Sequence, residues 1–172
     1  MMDQLILVDE KDQPTGFGEK LEVHQKGLLH RAFSIFVINS QGDLLLQKRA
    51  DNKYHSGGLW ANTCCSHPIK GEGQETTVLR RLNEEMGFTC PIKPLFSFVY
   101  KTTLDNDLTE YEYDHVYLGH FDGSPSPNPN EVADWKWVSL ADLKTDLAQN
   151  PKKYVFWLSE AFPKFEVEIS NL

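Results

Sequence analysis

Residues 59–88 read LWANTCCSHPIKGEGQETTVLRRLNEEMGF and combine two adjacent cysteines, one histidine and a run rich in Arg and Glu. Within residues 72–86 the apolar side chains recur at helical spacing, and Gly87 follows where a helix C-terminus favours glycine. The apolar face is formed by Val78, Leu79, Leu82 and Met86. The pattern therefore predicts one helix over residues 72–86, preceded by a segment that carries Cys65 and His67.

The second half of this stretch resembles the Nudix pattern, in which a loop Gly, a Glu and a helical Arg-Glu-x-x-Glu-Glu-x-Gly hold a metal ion against a diphosphate. The positions that fit are Glu72, Arg80, Glu84, Glu85 and Gly87. Ser66 stands where the leading Gly belongs, and Arg81 stands where a Glu belongs. Because Arg81 replaces a carboxylate with a cation, we expect it to hold a diphosphate and not to attack it.

Length and charge limit the possible functions. The 172 residues suit one domain over 1–172, with its core over about 20–160. A net charge of -8 argues against nucleic acid as a partner, so a few placed cations must hold any anionic ligand. Three cysteines, two of them adjacent, do not form a disulfide framework. With no signal-peptide pattern and no apolar run that spans a bilayer, we expect a cytoplasmic protein with no membrane partner.

Strand patterns outnumber helix patterns and predict an α+β fold, a mixed β-sheet flanked by helices in a single compact domain. Strands are predicted over residues 4–9, 31–39, 44–49, 92–101, 110–121 and 132–138. Helices are predicted over residues 20–25 and 72–86, from Ser139, and from Pro151 through Tyr154, Trp157 and Leu158. Residues 11–16 are expected to form a turn, and residues 31–49 a β-hairpin.

Glu110 and Glu112 lie two apart in a predicted strand, so both carboxylates point to the same face, and Asp114 extends the row. Side by side, such carboxylates repel each other, and a cation between them would relieve the repulsion. A solvated strand face explains the same residues. The row alone leaves both interpretations open.

Six histidines occur in the chain, and three of them extend the metal interpretation. These three come from separate segments: His24, His30 and His67. Together with Glu110 and Glu112 they form a mixed nitrogen and oxygen set that suits zinc or manganese, with more ligands than a closed structural zinc site needs. The remaining three are each interpreted as a satisfied or exposed side chain: His55, His115 and His120.

Cys65 is the candidate reactive thiol. A free cysteine is usually a small buried hydrophobe, and Cys64, which faces the opposite way on a strand, is interpreted in that manner. The polar neighbours Asn62 and His67, and the cationic helix beyond them, favour a reactive thiol at Cys65.

Three blocks occur in register along the chain: His24-x5-His30-Arg31-Ala32-Phe33-Ser34, Asn62-Thr63-Cys64-Cys65-Ser66-His67-Pro68, and Glu110-x-Glu112. With them the chain, from about Lys20 to Trp157, resembles type 1 isopentenyl-diphosphate isomerase, a branch of the Nudix superfold. Each motif alone is weak, whereas their joint order and spacing are highly specific. The resemblance implies an enzyme that interconverts isopentenyl and dimethylallyl diphosphate, protonating the alkene on one side and removing a proton from the other.

The resemblance also implies a role for each matched residue. Cys65 is the thiol on one face of the substrate and Glu112 the carboxyl on the other, with Tyr100 hydrogen-bonded near Glu112. One Mn²⁺ or Zn²⁺ is bound by His24, His30, His67, Glu110 and Glu112. Glu85 helps a Mg²⁺ ion grip the diphosphate. The phosphate-binding cations are Lys20, Arg49, Lys53 and Arg81.

Aromatic residues have a physical task in such a reaction. An isolated alkene is a very weak base, so a placed acid must protonate it in a pocket that excludes water. The resulting positive charge can be sheltered by Trp157, which matches the family's aromatic residue over the hydrocarbon, and by Trp60 and Tyr100. A desolvated cation over an aromatic face gains about 2 kcal/mol or more.

Two other functions remain open from the residues. A Nudix hydrolase of a nucleoside or prenyl diphosphate would use Glu84, but it has no use for Cys65 and Glu112 on opposite sides of a hydrocarbon. A non-catalytic, metal-stabilised binding module would leave Cys65 without a task. The sequence leaves the oligomeric state open between monomer and homodimer.

Overall fold

A mixed sheet of nine strands organises residues 2–172, the part of the chain that this computed structural model describes. The strands are β1 (Gln4–Val8), β2 (Pro14–Glu19), β3 (His30–Ile38), β4 (Leu44–Arg49), β5 (Trp60–Ala61), β6 (Cys64–Ser66), β7 (Ile92–Thr103), β8 (Thr109–His120) and β9 (Val132–Val138). The α-helices are α1 (Lys20–Lys26), α2 (Gln74–Met86), α3 (Leu140–Gln149) and α4 (Phe156–Ser170). The predicted α+β class is confirmed.

Strand β3 lies at the centre of the sheet and sets the register of the strands around it. It pairs in parallel with β8, which places His30 opposite Glu112. Its other edge pairs antiparallel with β6, which places Ser34 opposite Cys65. The strands that carry the expected thiol and the expected carboxyl are thus both hydrogen-bonded to β3.

The predicted β-hairpin of β3 and β4 is wrong beyond its first pair. The two strands pair only at Ile38 and Leu44. A strand has two edges, and β8 fills one edge of β3 while β6 fills the middle of the other. Strand β4 therefore leaves β3 and pairs with β5 and β9.

Three further element predictions differ from the structure. The segment predicted as a turn over residues 11–16 enters β2, which pairs antiparallel with β1 despite two glycines and a proline. Helix α2 begins at Gln74, two residues later than predicted, after an N-cap at Gly73. Pro151 opens a short 3₁₀ turn, so Tyr154 lies outside α4, whereas Trp157 and Leu158 lie within it.

Helices cover both faces of the sheet. Helix α2 buries Val78, Leu82 and Met86 against apolar side chains of β3. Helix α4 buries Phe162 and Phe165 in a separate core cluster on the other face of the sheet. Gly87 ends α2 in the left-handed region at a φ of 74°, and a Cβ there would lie 2.0 Å from the Ser126 carbonyl oxygen. The predicted glycine terminus is confirmed, and close backbone packing requires it. Over residues 2–172, every helix is too short or too polar to cross a bilayer.

Candidate active site

The acidic row of β8 faces the protein interior. Glu110, Glu112 and Asp114 are 3%, 5% and 1% exposed, so the interpretation as a solvated strand face is wrong. Burial raises the pKa of Glu110 well above its usual value, and the charge of Glu112 raises it further. Carboxylates held this close in a buried site favour a bound cation, because a cation offsets both the desolvation and the repulsion.

Three histidines from separate elements surround Glu112. His24 lies in α1, His30 begins β3 and His67 follows β6. Ring centroids are 4.9 Å apart for His24 and His30, and 5.0 Å apart for His30 and His67. Glu112 Oε1 lies 2.9 Å from His67 Nε2 and 3.4 Å from His30 Nε2. One donor atom from each of the four residues lies within 4.8 Å of the others, as ligands of a single ion would.

Backbone carbonyls fix the tautomers of two of these rings. Nδ1 of His24 donates to the Lys20 carbonyl at 2.7 Å, and Nδ1 of His30 donates to the Leu28 carbonyl at 2.9 Å. Because a carbonyl only accepts, each Nε2 carries the free lone pair. Both Nε2 atoms are buried without a hydrogen-bond partner, and so is Oε2 of Glu110. The hydrogen bonds at Nδ1 hold the two rings in place, and the buried donor atoms without partners are suited to binding a metal ion.

The protonation states suit metal binding. Burial lowers the pKa of His67 to about 3 and that of His55 also to about 3. Both rings are therefore neutral near pH 7, which is the form that binds a metal. Burial alone would raise the pKa of Glu112, but its hydrogen-bond contact with His67 lowers that pKa well below the usual value. Glu112 is held as a carboxylate.

Glu112 connects this group to Tyr100. The two residues are opposite each other on β7 and β8, and Tyr100 OH donates to Oε2 of Glu112 at 2.7 Å. The hydrogen bond implied by the resemblance is therefore present. Burial, and then the negative charges of Glu110 and Glu112, raise the pKa of Tyr100. The phenol keeps its proton near pH 7 and acts as a hydrogen-bond donor to Glu112.

Cys65 lines the same cavity as Tyr100 and Glu112. Its thiol donates to Asn62 Oδ1 at 3.0 Å and accepts from Trp157 Nε1 at 3.0 Å. Burial raises the pKa of the thiol, and the nearby charge of Asp114 raises it further. Cys65 is therefore a protonated thiol near pH 7, which can give a proton to a substrate. Cys64 is fully buried in the core, as predicted.

Four cations line this cavity, and all four were predicted to bind phosphate: Lys20, Arg49, Lys53 and Arg81. Burial lowers the pKa of Lys20, and the neighbouring cations lower it further, Lys53 first. Crowded cations at the wall of a cavity attract an anion of high charge density. Arg49 also stacks over the Trp157 ring, with Cζ 5.4 Å from the centroid.

Glu85 is buried beside Arg81 on α2. Its Oε1 accepts from Arg81 Nη2 at 2.6 Å, and its Oε2 accepts from Gln47 Nε2 at 2.9 Å. Arg81 also donates from Nη1 to Glu84 at 2.6 Å. The cation thus occupies the carboxylates that a Nudix hydrolase would gather around magnesium, while each Glu85 oxygen retains a second lone pair.

The two tryptophans expected at the substrate differ in position. Trp157 lines the cavity, and its indole N–H reaches both Asn62 Oδ1, at 3.2 Å, and the Cys65 sulfur. Trp60 is absent from the described residues that line the cavity, and Lys136 Nζ lies over its ring, 4.4 Å from the centroid. The structure brings Trp157 to the site and leaves Trp60 beside it.

Sequence reasoning missed the role of Ser34 and set His55 aside. Ser34 Oγ donates to Asp114 Oδ2 at 2.7 Å and lies 3.6 Å from the Cys65 sulfur. Burial raises the pKa of Asp114 to about 8, with a further contribution from Glu112. The alternation along β8 could have drawn Asp114 into the site, but no spacing in the sequence points from Cys65 to Ser34.

Comparisons with known proteins agree with this geometry. A family model described as the NUDIX domain matches residues 28–158. An isopentenyl-diphosphate Delta-isomerase 2 from Aromatoleum aromaticum is 54% identical over 159 residues, which cover 92% of this chain and 84% of that protein. An isopentenyl-diphosphate Delta-isomerase from Burkholderia multivorans is 51% identical over 157 residues, which cover 91% and 89%. The chain belongs to the isopentenyl-diphosphate Delta-isomerase family.

Solved structures show how far the fold of this isomerase-family chain is shared. DR0079 from Deinococcus radiodurans superposes with a TM-score of 0.78 over 94% of this chain and 98% of that chain, at 22% identity. The MutT protein from Methanosarcina mazei Go1 gives a TM-score of 0.67 over 81% and 94%, at 19% identity. At these identities the likeness concerns the fold alone, and the predicted Nudix-like fold is confirmed.

Proposed function

We propose that this protein interconverts isopentenyl and dimethylallyl diphosphate by moving protons on opposite sides of the hydrocarbon. One observation carries the proposal: a protonated thiol at Cys65 and a carboxylate at Glu112 with a donor phenol line one cavity. Cys65 lies on β6 and Glu112 on β8, and these two strands pair with opposite edges of β3. A Nudix hydrolase, which directs water at a phosphorus atom, does not need a thiol and a carboxylate on opposite sides of a hydrocarbon.

Charge balance defines what each group does. One carbon of the alkene gains a proton from a group on one wall, and the positive charge forms on the neighbouring tertiary carbon. A group on the opposite wall then takes a proton from the allylic carbon, so the double bond shifts with no net change in protons or electrons. We assign Cys65 to one wall and Glu112, with Tyr100, to the other.

The side chains that line the cavity stabilise this positive charge and shield it from water. Trp157 is 3% exposed, and its ring lies beside the Cys65 sulfur, where an aromatic face stabilises a desolvated cation by about 2 kcal/mol. Exclusion of water prevents capture of the charge by solvent. The diphosphate is held by Lys20, Arg49, Lys53 and Arg81.

We assign two metal ions to the site. The His/Glu group supplies imidazole and carboxylate donors that suit Mn²⁺ or Zn²⁺, and Glu85 supplies an oxygen ligand that suits Mg²⁺ with a diphosphate. An ion held at the His/Glu group would keep Glu112 in its ionised form and would offset the charge of the buried carboxylates. His24, His30, His67, Glu110 and Glu112 hold it.

The test follows hydrogen at carbon. Incubation of the full chain with isopentenyl diphosphate and Mg²⁺ in deuterated water is expected to give deuterium-labelled dimethylallyl diphosphate. Cys65→Ala and Glu112→Gln are expected to lower kcat by about 10²-fold or more, because each removes a proton-transferring group. Cys90→Ala makes the same change at a cysteine outside the cavity and keeps the wild-type rate. Release of phosphate without isomerisation would contradict the proposal.

A further inference from the structure

A second set of potential ligands adjoins the four-residue metal group. A nitrogen of His55, a nitrogen of His24 and a carboxylate oxygen of Glu110 lie within 4.8 Å of one another. All three residues are buried, and His55 is 6% exposed. His24 belongs to both sets, so the two sets meet at a single imidazole.

We propose that His55 is an additional ligand of the ion held by the His/Glu group, which extends the metal site of the proposed function. Taken together, the two sets would supply the ion with six donor side chains: His24, His30, His55, His67, Glu110 and Glu112. Six donors exceed the four of a tetrahedral zinc site and suit an octahedral ion. His55 therefore favours six-coordinate ions such as Mn²⁺ over four-coordinate Zn²⁺.

The position of Glu110 supports this assignment. Its Oε2 is buried without a hydrogen-bond partner, which is costly unless something absent from the protein chain satisfies it. Glu110 shares the second set with His55 and is not part of the four-residue set around His67. An ion that satisfies Glu110 therefore lies within reach of the His55 ring.

The loop between β4 and β5 is built to hold the His55 ring. Arg49 Nη2 donates to the His55 carbonyl at 3.2 Å, and His55 Nδ1 lies 3.1 Å from Ser56 Oγ, which leaves Nε2 for a metal. Ser56 adopts a φ of 54°, in the left-handed region that serine rarely occupies. Such strain persists where surrounding structure fixes it, and it is concentrated at functional sites.

Gly57 makes the same loop possible. A Cβ at residue 57 would lie 2.8 Å from the Asp51 carbonyl oxygen, so the chain turns back tightly just after the histidine. The His55 ring lies 6.0 Å from that of His24 and 6.1 Å from that of Trp157, between the metal group and the proposed hydrocarbon wall. The loop therefore presents an imidazole to the ion at the edge of the substrate cavity.

The first test measures metal retention on the full protein produced with Co²⁺. Chelator is added stepwise, and the cobalt that stays bound is determined by elemental analysis. His55→Gln is expected to lose cobalt at about 10-fold lower chelator concentration, since even an outer partner of a metal ligand is worth that much. His120→Gln makes the same change at an exposed histidine and is expected to match the wild type. Equal retention by His55→Gln and wild type would overturn the proposal.

A second measurement uses the unmodified protein, so it does not depend on whether a variant folds. Proton NMR of the Co²⁺-loaded wild type shows one shifted, exchangeable imidazole N–H signal for each histidine ligand. Four signals are expected if His55 binds the ion, and three would contradict it. Both readouts report ligands and not turnover. A wild type with three signals that still isomerises substrate would refute His55 alone, whereas four signals without isomerisation would refute the proposed reaction alone.

Discussion

Arg81 Nε donates a hydrogen bond to Ser66 Oγ at 3.2 Å. These are the two residues at which the chain departs from the Nudix pattern, and the structure shows that they are in contact. A glycine at position 66 would offer no side-chain acceptor, and a glutamate at position 81 no donor. Nη1 and Nη2 each donate a hydrogen bond, to Glu84 and Glu85, and the bond to Ser66 adds a third that fixes the orientation of a cation lining the cavity.

Replacing this cation should weaken diphosphate binding. Arg81→Gln keeps much of the side-chain length but loses the charge, and a hydrogen bond to a charged group contributes about 1.5–3 kcal/mol. We expect KM for isopentenyl diphosphate to rise about 10- to 10²-fold. Arg80→Gln is the matched control, because Arg80 pairs with Glu72 and does not line the cavity. A KM that rises equally in both variants would refute the assignment of Arg81.

Trp157→Phe separates the indole N–H from the aromatic face. Phenylalanine keeps an aromatic surface, but the hydrogen bond from Nε1 to the Cys65 sulfur is lost. A neutral hydrogen bond of about 1 kcal/mol corresponds to about a 5-fold lower kcat, with KM nearly unchanged. Trp135→Phe in β9 provides the control outside the cavity. The measurement is steady-state kinetics. A kcat of Trp157→Phe equal to that of the wild type would show that the indole hydrogen bond is not needed to position the Cys65 thiol.

Metal removal should lower thermal stability. The proposed ion would bind donor atoms that the unfolded chain does not bring together, so it would stabilise the folded state, by about 4 kcal/mol at a thousand times its Kd. Without it, the buried carboxylates of Glu110 and Glu112 repel each other. We expect Tm by calorimetry to fall when chelator is added and to recover when Mn²⁺ or Zn²⁺ is restored. An unchanged Tm would mean that the His/Glu group holds no ion.

Gly87 and Gly42 offer a matched test of backbone packing. Both have positive φ angles, 74° and 83°, but a Cβ at residue 42 meets nothing within 4 Å. Gly42→Ala is expected to cost about 1 kcal/mol from the left-handed backbone alone. Gly87→Ala adds a clash with the Ser126 carbonyl and is expected to cost about 3 kcal/mol or more in free energy of unfolding. The free energies of unfolding are measured by urea denaturation. Equal losses for Gly87→Ala and Gly42→Ala would show that the Ser126 carbonyl moves away from the added methyl group at little cost.

Alternation and helical spacing predicted which faces are buried, but not which strand edges meet. The period of two placed Glu110 and Glu112 on one face, and the structure buries that face. The same signals suggested a hairpin of β3 and β4, because adjacent apolar strands usually pair. Pairing depends on distant strands that compete for an edge, and β6 and β8 occupy the edges of β3.

Long-range contacts explain the rest of what the sequence could not reveal. Ser34 joins Cys65 and Asp114 across 31 and 80 positions, with no motif to link them. His55 lacked a periodic partner, so its proximity to His24 and Glu110 emerges only when the loop folds back. Among the residues matched through the family resemblance, Cys65, Glu112 and Trp157 line one cavity. Trp60, which was expected there only because an aromatic ring can shelter a positive charge, lies outside it.

Lys20 has one further consequence. Its carbonyl accepts from Nδ1 of His24, while its side chain lines the cavity beside Lys53 and Arg81. Under the proposed function, the backbone and the side chain of this one residue would connect two binding equilibria, that of the ion and that of the diphosphate. Linkage is reciprocal, so an ion that orders the first turn of α1 would raise the affinity for substrate, and bound substrate would raise the affinity for the ion by the same free energy. We therefore expect ion and substrate to bind cooperatively, even where they do not touch.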